Sequence, residues 1–309
     1  MANAATADPA DRVLLGILLT SIAYFLFSAQ DAAIKLLVAG ISVWQVMVFR
    51  SLVVLAGCYA SGGAALFRDA SRSPVVKPML LRSVLTLAAW LCYYTAAKYL
   101  QLAEMTTIYF AAPVIVTALS VLILREQVPL LRWAAVFLGF AGVFIACDPA
   151  TLGITFPILL VLGAAFFWAL AIVLLRKIAL QERTIVQLLL NNMFFLVAAG
   201  VPMLFVWRTP SVGEFLLLLT VGVLGGAAQL ALFDGMKRAA ASVIAPFEYT
   251  SLVWAFLFGY LIWHDVPRLE VVAGAVLIVF AGLIVIFGEH FSRRGSSKTV
   301  LEKSSKKFS

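Results

Sequence analysis

The sequence predicts an all-α integral membrane protein of ten transmembrane helices, arranged as two inverted five-helix repeats. Three observations predict it: a composition too apolar to fold in water, ten segments of spanning length, and a correspondence between the two halves. Of 309 residues, 63% are hydrophobic and only 12% are charged, so a soluble domain would have nowhere to put its apolar surface. The alternating ten-residue pattern of an outer-membrane barrel is missing. Helices, which satisfy their own backbone hydrogen bonds, remain.

Crossing the hydrocarbon core takes about 20 apolar residues. The first span is expected near 13–34. The tail before it carries Asp8 and Asp11 against Arg12, the reverse of a cleaved signal's positive start. The second span, 42–60, has Arg50 in its interior, and the third covers 79–99. The fourth, 104–124, contains Pro113, and the fifth covers 131–147. The second half begins with 157–176 and 185–207, the latter holding Asn191 and Asn192. Span eight, 214–235, carries Gly222, Gly226 and Gln229, with the glycines spaced as a packing face. Span nine, 241–262, holds Pro246 and Glu248, and the last covers 270–287. The expected division is a cytoplasmic tail at 1–12, repeats at 13–147 and 155–288, and a basic cytoplasmic tail at 289–309.

The halves correspond at a nearly constant offset. "AYFLFSAQDAAIKLL" at 23–37 resembles "AAFFWALAIVLLRKI" at 164–178, Gln45 aligns with Gln187, and "FAG" recurs at 140–142 and 280–282. Five spans per half is an odd number, so the second half must enter from the opposite side, with a binding site expected at the midplane between them. Charge placement fits this. With both termini cytoplasmic, 18 of the 23 lysines and arginines fall on the cytoplasmic side. Four, Lys35, Lys98, Arg208 and Arg268, fall outside, as the positive-inside rule requires.

Other chemistries are excluded by what the motifs omit. Cys58, Cys92 and Cys147 are isolated in apolar runs and read as packing residues. His264 and His290 are solitary, so no zinc-helix pattern exists, and no G-x-x-x-x-G-K-[ST] phosphate loop is present. No metal, cofactor or nucleic-acid partner is expected, and no nucleotide-driven pump. A membrane enzyme would need a nucleophile and base near one interface, and none is found.

"RWAAVFLGFAGVFIA" after "LILREQVP", then "ASVIAPFEYTSLVWAFLFGYLIWHDVP" and "GAVLIVFAGLIVI", resemble the two repeats of the drug/metabolite transporter superfamily, EamA type. The resemblance runs from about residue 13 to 288. It is nearest to the bacterial members whose second repeat reads A-P-F-D-Y-T-S-L-x-W-A and F-G-E-x-P, a group that includes S-adenosylmethionine uptake carriers. Here Glu248 replaces the Asp, and "WHDVP" replaces F-G-E-x-P. The resemblance implies a transport role.

Charged groups deep in a span usually face a partner or a wet cavity. Arg50 lies roughly 12 Å below the outer end of span two and Glu248 roughly 10 Å above the inner end of span nine. The two are expected to meet as, or beside, the central site, neutralising one another when it is empty; the alternative is a purely structural ion pair. Tyr249 and Trp254 are candidate aromatic walls, or plain packing. Asn192, opposite Arg50 in the repeat alignment, and Gln229 are candidate substrate contacts. Pro113 and Pro246 are candidate kinks that open the cavity. Asp31 and Lys35, spaced i, i+4, either pair with each other or form an outer gate. Glu104 and Asp234 lie near span ends, where charge is cheap.

The expected function is a secondary transporter of the bacterial-type inner membrane, moving a small polar or zwitterionic metabolite by alternating access. The alternative on the same fold is an exporter of amphipathic or toxic metabolites. The expected partners are the small-molecule substrate, the lipid bilayer and a proton or counter-substrate, with the chain a monomer or homodimer.

Overall fold

The computed structural model describes residues 9–74, 76–124, 130–148, 155–178, 182–238 and 245–284. Helices α1 (Pro9–Val38), α2 (Val43–Ser71) and α3 (Val76–Ala96) form the first three spans. The fourth is divided into α4 (Leu102–Tyr109) and α5 (Ala111–Leu124), and α6 (Leu130–Cys147) ends the first half. In the second half come α7 (Phe156–Ile178), α8 (Thr184–Phe205) and α9 (Val212–Arg238). The ninth span opens as a 3-10 turn, Ala245–Tyr249, continues as α10 (Thr250–Trp263), and is followed by α11 (Leu269–Ile284). The ten helical spans fall on the ten apolar segments. Residues 1–8 and 285–309 lie outside the described residues, whereas Asp11 and Arg12 of the expected N-terminal tail fall within α1.

The inverted repeat is visible in how the helices pack. The α1–α9 contact has its counterpart in α7–α3, and α2–α9 has its counterpart in α8–α3. The contact of α1 with the broken ninth span is matched by that of α7 with the broken fourth span. Contacts α2–α8 and α4–α10 map onto themselves. The first three helices of each half, α1 to α3 and α7 to α9, therefore pack chiefly on the other repeat, and the core forms along this shared interface. The outer surface is an apolar belt that includes Leu122, Phe137, Val197, Phe205, Leu216 and Val276, suited to lipid rather than water.

Small residues permit the closest approaches. A Cβ on Gly142 would lie 2.8 Å from the Gly274 carbonyl oxygen, so α6 and α11 cross backbone to backbone. A Cβ on Gly222 would meet the Val53 side chain, and one on Gly226 would lie 3.4 Å from Val54, which makes this α9 face the expected packing stripe against α2.

Both halves break their fourth span, and proline explains the first break. Pro113 has no N–H to offer the Tyr109 carbonyl, and the chain changes direction at Phe110, between α4 and α5. In the ninth span Pro246 lies within the 3-10 turn. Hydroxyls occupy carbonyls beside these breaks: Thr117 Oγ1 donates to Pro113 O at 3.0 Å, Thr250 Oγ1 to Phe247 O at 2.6 Å and Ser251 Oγ to Glu248 O at 2.7 Å. In lipid such substitutes are required.

Two local readings change. The second span does not stop near residue 60. Its helix runs to Ser71 across a break at Gly63, where φ 57° and ψ −160° define a conformation open to glycine alone; Leu66 and Ala70 beyond it are buried. Arg82, counted with the cytoplasmic loop, lies inside α3 and is buried, its Nε without a hydrogen-bond partner.

Candidate functional site

Arg50, on α2, is 0% exposed and is among the largest fully buried side chains. Its guanidinium carbon lies 3.9 Å from the centre of the Trp90 ring, a cation–π stack from α3. Nε donates to Gln30 Oε1 at 3.5 Å, and Gln30 Nε2 donates to the Tyr94 hydroxyl at 3.1 Å. Nη1 and Nη2 have no hydrogen-bond partner. On its far side is α9: a Cβ on Gly225 would lie 2.9 Å from Arg50 Nε and 3.1 Å from Nη2. Only glycine leaves room there for the guanidinium.

The carboxylate within electrostatic reach of Arg50 is Asp31, not Glu248. Asp31 is half-buried and also makes a polar contact with the Tyr93 hydroxyl, which itself lies 3.3 Å from Thr106 Oγ1. The rings of Tyr93 and Tyr109 are edge to face at 5.1 Å, and those of Tyr93 and Tyr94 at 6.1 Å.

Glu248, in the 3-10 turn, is half-buried. Among the described residues no ion pair joins it to Arg50, and its charge acts on Tyr24, Tyr109 and Tyr249. The expected Arg50–Glu248 ion pair is not formed; Asp31 is the carboxylate whose charge acts on Arg50, without an ion pair between them. Estimating depth along two spans fixes height in the membrane but not the direction a side chain faces, and Asp31 on α1 is better placed around the helix axis.

The remaining expected residues divide. Tyr249 stacks on Phe110, centroids 5.3 Å apart and planes 18° apart, so the two helix breaks touch. Asn192 is 0% exposed; its Nδ2 donates to Leu188 O at 2.8 Å in its own helix, and its Oδ1 has no partner, as is true of Gln229 Oε1. Asn191, by contrast, accepts from Ser83 Oγ at 2.8 Å. Trp254 lies in an aromatic seam with Phe25 at 5.0 Å and Phe258 at 6.2 Å. Asp31 and Lys35 do not pair with each other. Lys35 instead donates to Leu100 O at 2.5 Å, approaches Asp265 at 4.0 Å and sits 5.1 Å from the Trp263 ring centre.

Lys35 belongs to a seal between repeats at that end of the bundle. Arg268, at the start of α11, bridges Glu104 of α4 at 2.7 Å and Asp148 after α6 at 3.4 Å. Gln45 Nε2 donates to Arg208 O at 2.8 Å, and Arg208 Nη1 donates to Gly40 O at 2.7 Å. The sequence reading missed the role of Arg268 and left Glu104 as an interfacial charge. It also passed over Gln30, Trp90 and the four tyrosines. The Tyr93–Tyr94 doublet in an apolar span was the available signal.

Two inverted halves, each with a broken fourth span and a charged centre, are the context for comparison with known proteins. The pattern of the EamA-like transporter family matches residues 14–147 and again 155–288. The chain belongs to the EamA-like transporter family. It is therefore a multi-pass membrane transporter rather than an enzyme. Within EamA-like proteins it is 27% identical to a pseudopaline exporter of Pseudomonas aeruginosa, covering 88% of this chain and 95% of the other. It is 28% identical to an S-adenosylmethionine uptake transporter of Rickettsia prowazekii, covering 88% and 94%. A riboflavin transporter of Vibrio cholerae is 33% identical, over 55% of this chain and 57% of its own length. A crystal structure with a TM-score of 0.62 and 16% identity covers 89% of this chain and 96% of its own, a likeness of fold. The EamA-like family thus accounts for the bundle and the transport role.

Proposed function

We propose that this EamA-like protein is a secondary carrier of the inner membrane, not driven by nucleotide, that moves a small polar or zwitterionic metabolite by alternating access. The repeats at 13–147 and 155–288 rock against each other about a midplane site, with the tails 1–12 and 289–309 cytoplasmic. Arg50, Asp31, Glu248, Tyr249, Asn192 and Gln229 line that site. Pro113 and Pro246 define the breaks about which it opens, and Lys35 and Arg268 seal the outer side.

The observation that carries this reading is the Arg50 guanidinium, fully buried with Nη1 and Nη2 unsatisfied. An unsatisfied buried cation is costly, and a bound carboxylate would satisfy both N–H groups at once, as a bidentate pair. Asp31 beside it takes the cationic group, so buried charge stays balanced while substrate enters and leaves.

Counterflow of a labelled metabolite panel in proteoliposomes tests the proposal. Arg50→Ala should abolish counterflow of every carboxylate-bearing substrate that the wild-type protein carries. Wild-type rates in that variant would remove Arg50 from the site.

A further inference from the structure

We propose that Arg82 is a second anion-binding position, on the side of Trp90 away from the Lys35–Arg268 seal, where the substrate's carboxylate rests between Arg50 and the aqueous phase. This rests on the carboxylate site proposed at Arg50 and adds a step on the route to it.

The sequence of α3 turns Arg82 inward. Met79, Arg82, Ser83 and Thr86 are buried, whereas Leu80, Leu81 and Val84 are exposed, the spacing of two faces of one helix. The buried stripe meets the other repeat. Met79 packs against Leu190 of α8 and Leu174 of α7, and Ser83 Oγ donates to Asn191 Oδ1 of α8 at 2.8 Å. Arg82 therefore leaves its helix between two positions that face protein, not between positions that face lipid headgroups.

The fold does not neutralise it. Arg82 is 8% exposed and its Nε is enclosed without a hydrogen-bond partner. Among the described residues no ion pair joins it to a carboxylate. The acids toward that end are engaged elsewhere: Glu182 accepts from Ser73 Oγ and from the Arg183 N–H, and Asp234 lies 4.0 Å from Arg238. A buried cation without a counter-charge burdens the fold, and an apolar side chain would fill the stripe as Met79 does. Within a span such a residue marks the route of a charged substrate.

The same seam leads to Arg50. Trp90 lies two turns further along α3, about 12 Å along the axis, and its ring covers the Arg50 guanidinium. On α8, Phe195 is one turn beyond Asn191 and meets Trp90 edge to face at 5.1 Å. The two guanidiniums are thus separated by the Trp90–Phe195 ring pair, while the far end of the bundle is held by the seal. A carboxylate that leaves Arg50 past Trp90 meets Arg82 next, and a guanidinium again offers it a bidentate pair.

The test uses purified full-length protein lacking its three cysteines, with a Thr86→Cys reporter one turn from Arg82 on the same stripe, in phosphatidylcholine nanodiscs. Two thiol reagents are compared, 2-carboxyethyl methanethiosulfonate and its trimethylammonioethyl counterpart. Each rate is divided by that with free mercaptoethanol, and the ratio of the two cancels the frequency of opening. The carboxylate reagent should be favoured roughly ten-fold or more, with the preference lost in Arg82→Gln and kept in Arg82→Lys. Sodium acetate should slow it more than sodium chloride of equal ionic strength. No preference, no reaction with either reagent, or equal slowing by the two salts overturns the inference. So does loss of the preference when phosphatidylglycerol is added, which would make a lipid headgroup the occupant. A preference that survives Arg82→Gln but not Arg50→Gln overturns this step and leaves the Arg50 site standing, and counterflow by Arg50→Ala bears on that site alone. Should Arg82→Gln not fold, Arg82→Met replaces it with the same expected loss.

Discussion

The rings of Phe110 and Tyr249 stack 5.3 Å apart at an interplanar angle of 18°, each at the break of its repeat's fourth span. Gly282 on α11 also lies against Tyr249, where a Cβ would run into the ring and hydroxyl. Phe110 already stacks on that ring, which limits its freedom to shift. Gly282→Ala should therefore destabilise the protein by about 1–3 kcal/mol, as overpacking does, read as a lower melting temperature. In a Tyr249→Ala background the same change should cost far less. An equal cost in both backgrounds would locate the clash elsewhere.

The buried charges give a second prediction. Removing one member of a buried pair costs about 3–5 kcal/mol, because the other stays unpaired. Asp31→Ala and Arg50→Ala should each melt early, and the double variant should recover most of the loss without recovering transport. Arg50→Ala combined with Glu248→Ala should show no such recovery. Thermal melts of the four variants decide which carboxylate is the partner, and recovery only with Glu248 would reverse the assignment.

The seal predicts accessibility. Arg268 holds Glu104 and Asp148 together, each partly buried pair contributing about 1 kcal/mol. Arg268→Ala should raise the open population on that side on the order of ten-fold. In a chain lacking its three cysteines, an Ala97→Cys reporter, buried just past the end of α3, should react correspondingly faster with a membrane-impermeant maleimide. An unchanged rate would show that these pairs do not gate entry.

A fourth prediction concerns the end of α10. His264 is left-handed, φ 55° and ψ 28°, and its N–H bonds Tyr260 O at 2.9 Å while Asp265 N–H bonds Gly259 O at 3.2 Å. The related F-G-E-x-P pattern has glycine at this position, which the geometry favours. His264→Gly should stabilise the protein by about 0.5–1 kcal/mol, the strain relieved less the added chain entropy. A lower melting temperature would show that the Tyr260–His264 ring contact at 6.1 Å outweighs the strain.

The spans and their inversion were legible because lipid imposes a length and an apolar composition on every crossing. Arg50 and Glu248 stood out for the same reason. Their partners did not, because partner choice depends on rotation about each helix axis and on contacts between repeats about 140 residues apart. Gln30 and Asp31 sit side by side in α1, yet only the fold shows that both turn toward Arg50. The bridge from Arg268 to Glu104 joins α11 to α4, and span-end charges look alike in sequence whether they seal a gate or meet water.

Inverting one repeat onto the other does not carry the seal across. The offset that sets Ala103 over Ala241 puts Gln127 opposite Asp265, Leu130 opposite Arg268 and Ser242 opposite Glu104, while the alignment of 23–37 with 164–178 sets Lys35 on Arg176, so these ion pairs are not repeated as pairs in the other half. In the alternating-access carrier proposed above, the two conformations of the empty protein would then be unequal in free energy, with the Lys35 end shut at rest. Thermodynamics still forces the same final gradient from either direction. What differs is appetite: in vesicles of opposite orientation, half-saturation should come at a lower concentration from the side on which the idle carrier already stands open.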